Sequence, residues 1–198
     1  MKLASTLSLV ALALAPALSS AATGFTIDFE KNWSYGEAVD NQYAAQGVTF
    51  TNVLGVSNDP AFDPYYSNAP SPMGVAMAQL DGVSNTTAFM NVAGGVDGLL
   101  SFFYSTPSDV VGAVKAYSGL NGTGTLLGTF DLVANTADYS TWTAANFSFS
   151  GTALSFDLSA TANVAGVDNI SAVPEPSTWA LTACSLAVMG VSLRRRAK

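Results

Sequence analysis

Three carboxylates stand where a metal could use them. Asp28 and Glu30 fall on one face of the alternating run Phe25-Thr26-Ile27-Asp28-Phe29-Glu30, opposite Phe25, Ile27 and Phe29. Asp168, in Gly166-Val167-Asp168-Asn169-Ile170, shares a strand face with Val164 and Ile170, which turns it toward apolar neighbours. A carboxylate aimed inward needs a partner. Basic residues are almost absent around it, so a hard cation is the candidate, and calcium accepts carboxylate and carbonyl oxygens. The alternative is an Asp at a strand end, satisfied by solvent and hydrogen bonds without any metal.

A second set of residues suits sugars. Trp33, Tyr65 and Tyr66, together with Tyr35, Tyr43, Phe62 and Trp142, sit in or beside turn-rich segments. Exposed rings stack on sugar faces while neighbouring Asn and Asp bind hydroxyls; buried rings only pack. Catalysis has few carriers. The chain has no histidine, which excludes a Ser-His-Asp triad, a Cys-His dyad and a His-ligated metal. Cys184 is the single cysteine, so no intramolecular disulfide forms. Before Pro174 the acids are eleven aspartates and two glutamates, Glu30 and Glu37. No Glu-x-Asp-x-x-Glu strand of the jelly-roll glycosidase type is present, and the expectation is a protein without catalytic residues.

The elements that must position these residues are β-strands. Of 198 residues, 49% are apolar and 11% charged, against about 25% charged in ordinary domains. Such a chain buries a core and is not disordered. Between residues 23 and 173, Lys31 and Lys115 face thirteen acids, a net charge of −11. That excludes a nucleic-acid partner, repels anionic polymers and attracts divalent cations. Strand patterns recur at Phe25–Glu30, Val48–Val53, Val75–Leu80, Thr87–Val92, Leu99–Tyr104, Val110–Tyr117, Leu126–Leu132, Asn146–Ser150, Ala153–Leu158 and Val164–Ile170. Spacings near ten residues with turn residues between predict an all-β, antiparallel, jelly-roll-like sandwich. Asn121-Gly122-Thr123-Gly124 reads as a hairpin, Gly94 to Gly98 as a turn, and Tyr35 to Gln46 as holding one short helical turn. Gly55 to Pro72 is the longest irregular stretch, of a length that often carries function.

Both ends read as targeting segments. Residues 1–22 have Lys2, an apolar Leu3–Leu14, Pro16 and small residues to Ala22, the pattern of a signal peptide cut by signal peptidase after Sec export. Residues 173–198 begin with Val173 and the tripeptide Pro174-Glu175-Pro176. They continue through an uncharged stretch, 177–193, and end in a basic tail, 194–198, with Arg194, Arg195 and Arg196. Seventeen uncharged residues reach the low end of a membrane span. Three arginines behind them act as a stop-transfer signal that stays cytoplasmic. Cys184 falls inside that stretch as a packing residue.

Pro-Glu-Pro-Ser-Thr, one short apolar helix and terminal arginines resemble the PEP-CTERM sorting signal. The resemblance implies a Gram-negative host that makes extracellular polysaccharide. It also implies an inner-membrane precursor, processing by an exosortase near Pro174–Pro176, and delivery of the outer domain, 23–172, to the cell surface, biofilm matrix or medium. The order of pieces in the outer domain is similar to lectin- or carbohydrate-module-type jelly rolls, in which first and last strands are neighbours and a structural calcium is common. Extracellular polysaccharide is the ligand class this second resemblance implies.

Overall fold

The computed structural model describes residues 24–58 and 65–173. The expected signal peptide, the Pro174–Pro176 motif, the stretch 177–193, Arg194–Arg196 and Phe62 lie outside the described residues. Among the described residues no helix is long and apolar enough to cross a membrane.

The described residues form nine strands: β1 (Phe25–Ile27), β2 (Val48–Thr51), β3 (Val53–Ser57), β4 (Gly74–Ala78), β5 (Phe89–Ser105), β6 (Val110–Tyr117), β7 (Leu126–Leu132), β8 (Thr143–Asp157) and β9 (Gly166–Ala172). Every pairing between them is antiparallel. The order is β3-β4-β9-β5-β8-β6-β7, with β1 added to β9 and β2 added to β5. The first strand therefore lies beside the last, as the jelly-roll resemblance implied.

The sandwich arises because β5 and β8 belong to both layers. The C-terminal half of β5 pairs β9 and the start of β8, while its first residues pair β2 and the end of β8. Between the halves the register shifts at Asn91/Val96 and Asp97/Leu99. Gly95 and Gly98 adopt φ of 74° and 69° there. Gly94 to Gly98, expected as a turn, is thus a bulged bend inside one strand. Glycine bulges deflect and twist a strand without ending its pairing. The same correction joins Asn146–Ser150 to Ala153–Leu158 as β8, bent at Gly151 (φ 87°).

Two further differences have local causes. Val48–Val53 is broken at Asn52, whose φ is 54° and whose side-chain amide donates to the Thr87 carbonyl at 2.7 Å. The next strand, β3, runs through Gly55, the residue at which the sequence pattern predicts irregular structure to begin. The expected short helical turn is the 3₁₀ segment Ala44–Gln46. The Asn121–Gly124 hairpin joins β6 to β7, with Gly122 and Gly124 at positive φ.

The two layers enclose one apolar core. Along one end Phe29, Tyr43 and Phe50 meet edge to face at 5.7–6.3 Å. Elsewhere Phe130, Phe147, Phe149 and Phe156 pack at 5.2–6.5 Å around Phe147. Phe147→Ala is expected to cost about 3–5 kcal/mol by urea unfolding. Val111→Ala, at a strand residue 83% exposed, is expected to stay within about 0.5 kcal/mol.

Candidate functional site

Asp168 sits where β9 changes partners. Before it, Gly166 and Val167 pair with β4; after it, Ile170 to Ala172 pair with β1. Asn169 takes φ 47°, a left-handed conformation that Asn tolerates better than most side chains. The bulge leaves Asp168 fully buried, on the inward face as the alternation predicts. Its carboxylate accepts the Ser71 N–H at 2.7 Å and the Asn169 N–H at 2.7 Å. The Ser71 hydroxyl donates to Asn169 Oδ1 at 2.9 Å.

These bonds supply the partner that an inward carboxylate needs. The partner of the inward carboxylate is a pair of backbone N–H groups, which satisfy an anion as a cation would. β1 ends at Ile27, short of the expected Glu30, because Phe29 turns to φ 54°; Asp28 and Glu30 are exposed on either side of the buried Phe29. Asp28 Oδ1 accepts the Glu30 N–H at 3.2 Å, and Glu30 Oε1 accepts the Met73 N–H at 2.7 Å. The Tyr43 phenol is pushed up to about 12, first by burial and then by the charges of Asp28, Asp168 and Glu30; that of Tyr66 is pushed up to about 12 by burial and then by Asp168 and Glu30. Among the described residues, no three such groups converge as a metal site. Burial pushes Asp168 itself from 3.8 up to about 6 against the pull of its N–H donors, and Glu30 adds to the rise.

The segment that Asp168 holds carries Tyr65 and Tyr66, and the two part ways. Tyr66 is buried, its hydroxyl 3.4 Å from the Val56 carbonyl and its ring edge-on to Trp142. Tyr65 is half exposed and stacks on Tyr139 at 5.3 Å. Trp142 Nε1 donates to the Ser67 carbonyl at 3.1 Å, and the Tyr139 hydroxyl to the Val164 carbonyl at 2.8 Å. Loop 65–73 is thereby clasped to the segment 139–142.

Trp33 is not a free platform. It is 5% exposed. Its Nε1 donates to the Phe29 carbonyl at 2.9 Å, its backbone N–H to Ser57 Oγ, and Lys31 Nζ lies 4.5 Å from the ring centroid. A Cβ on Gly55 would fall 1.9 Å from the indole. The ring is seated flat against β3 and forms a wall.

That wall bounds a cavity of about 730 Å³ over β3 and β4. Tyr35, wholly exposed, and Tyr65 stand at it, with Asn32, Ser34 and Ser57 among the polar residues. Among the described residues, none that lines it is charged. A second cavity of about 550 Å³ adjoins it, sharing Leu54, Gln79 and Asn163, and holds Asn52, Asn85, Asp40 and Asp81. Asp81 Oδ1 accepts the N–H groups of Val83, Ser84 and Asn85 at 2.8–2.9 Å. Those bonds hold its carboxyl below the ordinary range. Of the sugar-stacking candidates, then, Trp33 and Tyr65 share one cavity and Tyr66 is packed behind it. Gln79, Asn163 and Asn85 carried no sequence signal, because isolated amides in turns are too common to stand out.

No family model matches the chain, and no curated protein matches it in sequence. Some solved structures resemble it. The K1 adhesin domain of Lys-gingipain from Porphyromonas gingivalis is 12% identical, over 77% of this chain and 99% of that one, with a TM-score of 0.49. A family 6 carbohydrate-binding module is 13% identical, over 76% and 94%, at 0.44. The CBM35 module of Paenibacillus barcinonensis is 14% identical, over 76% and 99%, at 0.42. Likenesses this weak assign nothing; the architecture rests on the chain's own strand pairings.

Asp168 gives a pH dependence of defined sign. The folded chain holds this proton more tightly than the unfolded one. Its stabilising contribution is therefore complete below about pH 3.8 and lost as pH rises through about 6. Asp168→Asn removes it, so the variant's melting temperature relative to wild type is expected to rise from pH 4 to pH 7. A difference that stays constant with pH contradicts the assignment. Millimolar calcium and EDTA are expected to give coincident melts.

Proposed function

We propose that the outer domain, 23–172, is a non-catalytic carbohydrate-binding module of an exported protein. The observation that carries this reading is the lining of the larger cavity: among the described residues, aromatic rings beside amides and hydroxyls, without a charge. A sugar ring offers an apolar C–H face and a rim of hydroxyls, and this lining suits both. Catalysis is disfavoured by the carboxylates. The acid raised toward neutrality, Asp168, is buried and engaged by two N–H groups; Asp81 is held ionised by three. Neither is placed to pass a proton to a ligand in the cavity.

The ends extend the reading. Sec export and signal peptidase release residues 1–22. The 177–193 helix holds the precursor in the inner membrane with Arg194, Arg195 and Arg196 cytoplasmic, and an exosortase cuts near Pro174, Glu175 and Pro176. The mature module then reaches the cell surface or matrix, where the host's extracellular polysaccharide is its ligand. The order of tripeptide, apolar stretch and arginines supports this part.

Two measurements test these proposals separately. In titration calorimetry against neutral polysaccharides, Tyr65→Ala and Tyr35→Ala are each expected to weaken binding about fivefold or more, as truncation of an aromatic anchor does. Binding unchanged by both variants would overturn the site. In mass spectrometry of the mature protein from its host, the chain is expected to end near Pro176. An intact peptide through Leu193 as the main species would overturn the sorting reading.

A further inference from the structure

The two cavities over β3 and β4 adjoin, and their adjacency bears on how a ligand lies. They meet at Leu54, Gln79 and Asn163. Leu54 is paired with Met77 across the strands, and both are only partly buried, so an apolar floor runs beneath the junction. Gln79 and Asn163 are exposed beside it. The Asn163 Nδ2 is spent on the Leu80 carbonyl at 2.9 Å, which fixes the amide in place. The cleft thus has aromatic rings at one end, an apolar floor with amides in the middle, and Asn85 with two carboxylates at the other.

Resting on the carbohydrate-binding reading above, we infer that the cleft binds an extended, uncharged glycan along its chain, through several consecutive sugar units, and not a single terminal sugar. A site for a chain end needs a closed pocket around one ring. Here the larger cavity is bordered at Leu54, Gln79 and Asn163 by a second one, which leaves room for further sugar units beyond the first. Among the described residues the larger cavity has no cationic side chain in its lining to receive a uronate or a sulfate. Asp40 and Asp81 at the far end repel such groups, and three N–H donors keep Asp81 ionised. Neutral sugar units satisfy both ends.

The test is a length series of one neutral oligosaccharide family, titrated against the wild-type outer domain, Tyr65→Ala and Asn85→Ala. A uronate oligosaccharide series is run in parallel. Wild-type affinity is expected to rise with each added unit until the cleft is filled, and uronates are expected to bind at least tenfold more weakly. Tyr65→Ala should weaken every length. Asn85→Ala, whose side chain lies only at the far cavity, should weaken the long oligosaccharides by about threefold or more and leave the short ones unchanged. Circular dichroism of each variant separates loss of binding from loss of fold. Affinity independent of length, or an Asn85→Ala effect on short and long ligands alike, overturns the extended mode while leaving the carbohydrate reading intact. Tighter binding of uronates overturns the neutral class. No binding by wild type at any length, neutral or charged, overturns the carbohydrate reading itself.

Discussion

The seat of Trp33 is the constraint around which the cleft is built. An indole pressed flat against a strand leaves no room for a side chain beneath it, and β3 supplies Gly55 there. Gly74, at the start of β4, is bare for a related reason: a Cβ would meet the Phe29 carbonyl at 2.3 Å and the indole at 2.8 Å. The ring's one polar atom is satisfied by that same Phe29 carbonyl, so the large apolar surface is buried without an orphan donor. Phe29 meets the demand in a left-handed conformation, φ 54°, costly for an aromatic residue and held by its packing on Tyr43 and Phe50. Lys31 then lies over the indole and pairs with Glu37, which fixes the segment carrying Ser34 and Tyr35 to the rim of the cavity.

Asp168 does the corresponding work on the other side. The irregularity in β9 presents the Asn169 N–H and loop 65–73 brings the Ser71 N–H, and the buried carboxylate accepts both. By taking the Ser71 N–H it ties the long loop to the sheet. Tyr66 is thereby packed inward and Tyr65 set at the cleft. In the fold this carboxylate is a fastener. Its burial and its hydrogen bonds are two consequences of one irregularity.

Much of the fold is legible in the sequence, and the exceptions share a cause. Alternation places β1 because Phe25 and Ile27 mark one buried face. It also places Asp28 and Glu30 outward and Asp168 inward. Glycine misleads in both directions. Gly94 to Gly98 looks like a reversal and is a bend within β5. Gly55 looks like the start of a loop and is the bare centre of β3. In each case a partner far along the chain, Thr152 for Gly95 and Trp33 for Gly55, explains the missing side chain. No local window contains that information. Trp33 reads as a loop residue for the mirror-image reason: its surroundings in sequence are polar, while its surroundings in space are strands β3 and β4.

Whether neutral sugars occupy the cleft between Trp33, Tyr65 and Asn85 is tested most directly by an amide-resolved NMR titration of the outer domain with a neutral oligosaccharide. Saturable shifts are expected at the Trp33 indole N–H, at the Gln79 and Asn163 side-chain amides and at the backbone around Tyr35 and Tyr65, with β7 on the far layer silent. Shifts confined to other surfaces, or a spectrum unmoved across neutral glycans, would contradict it.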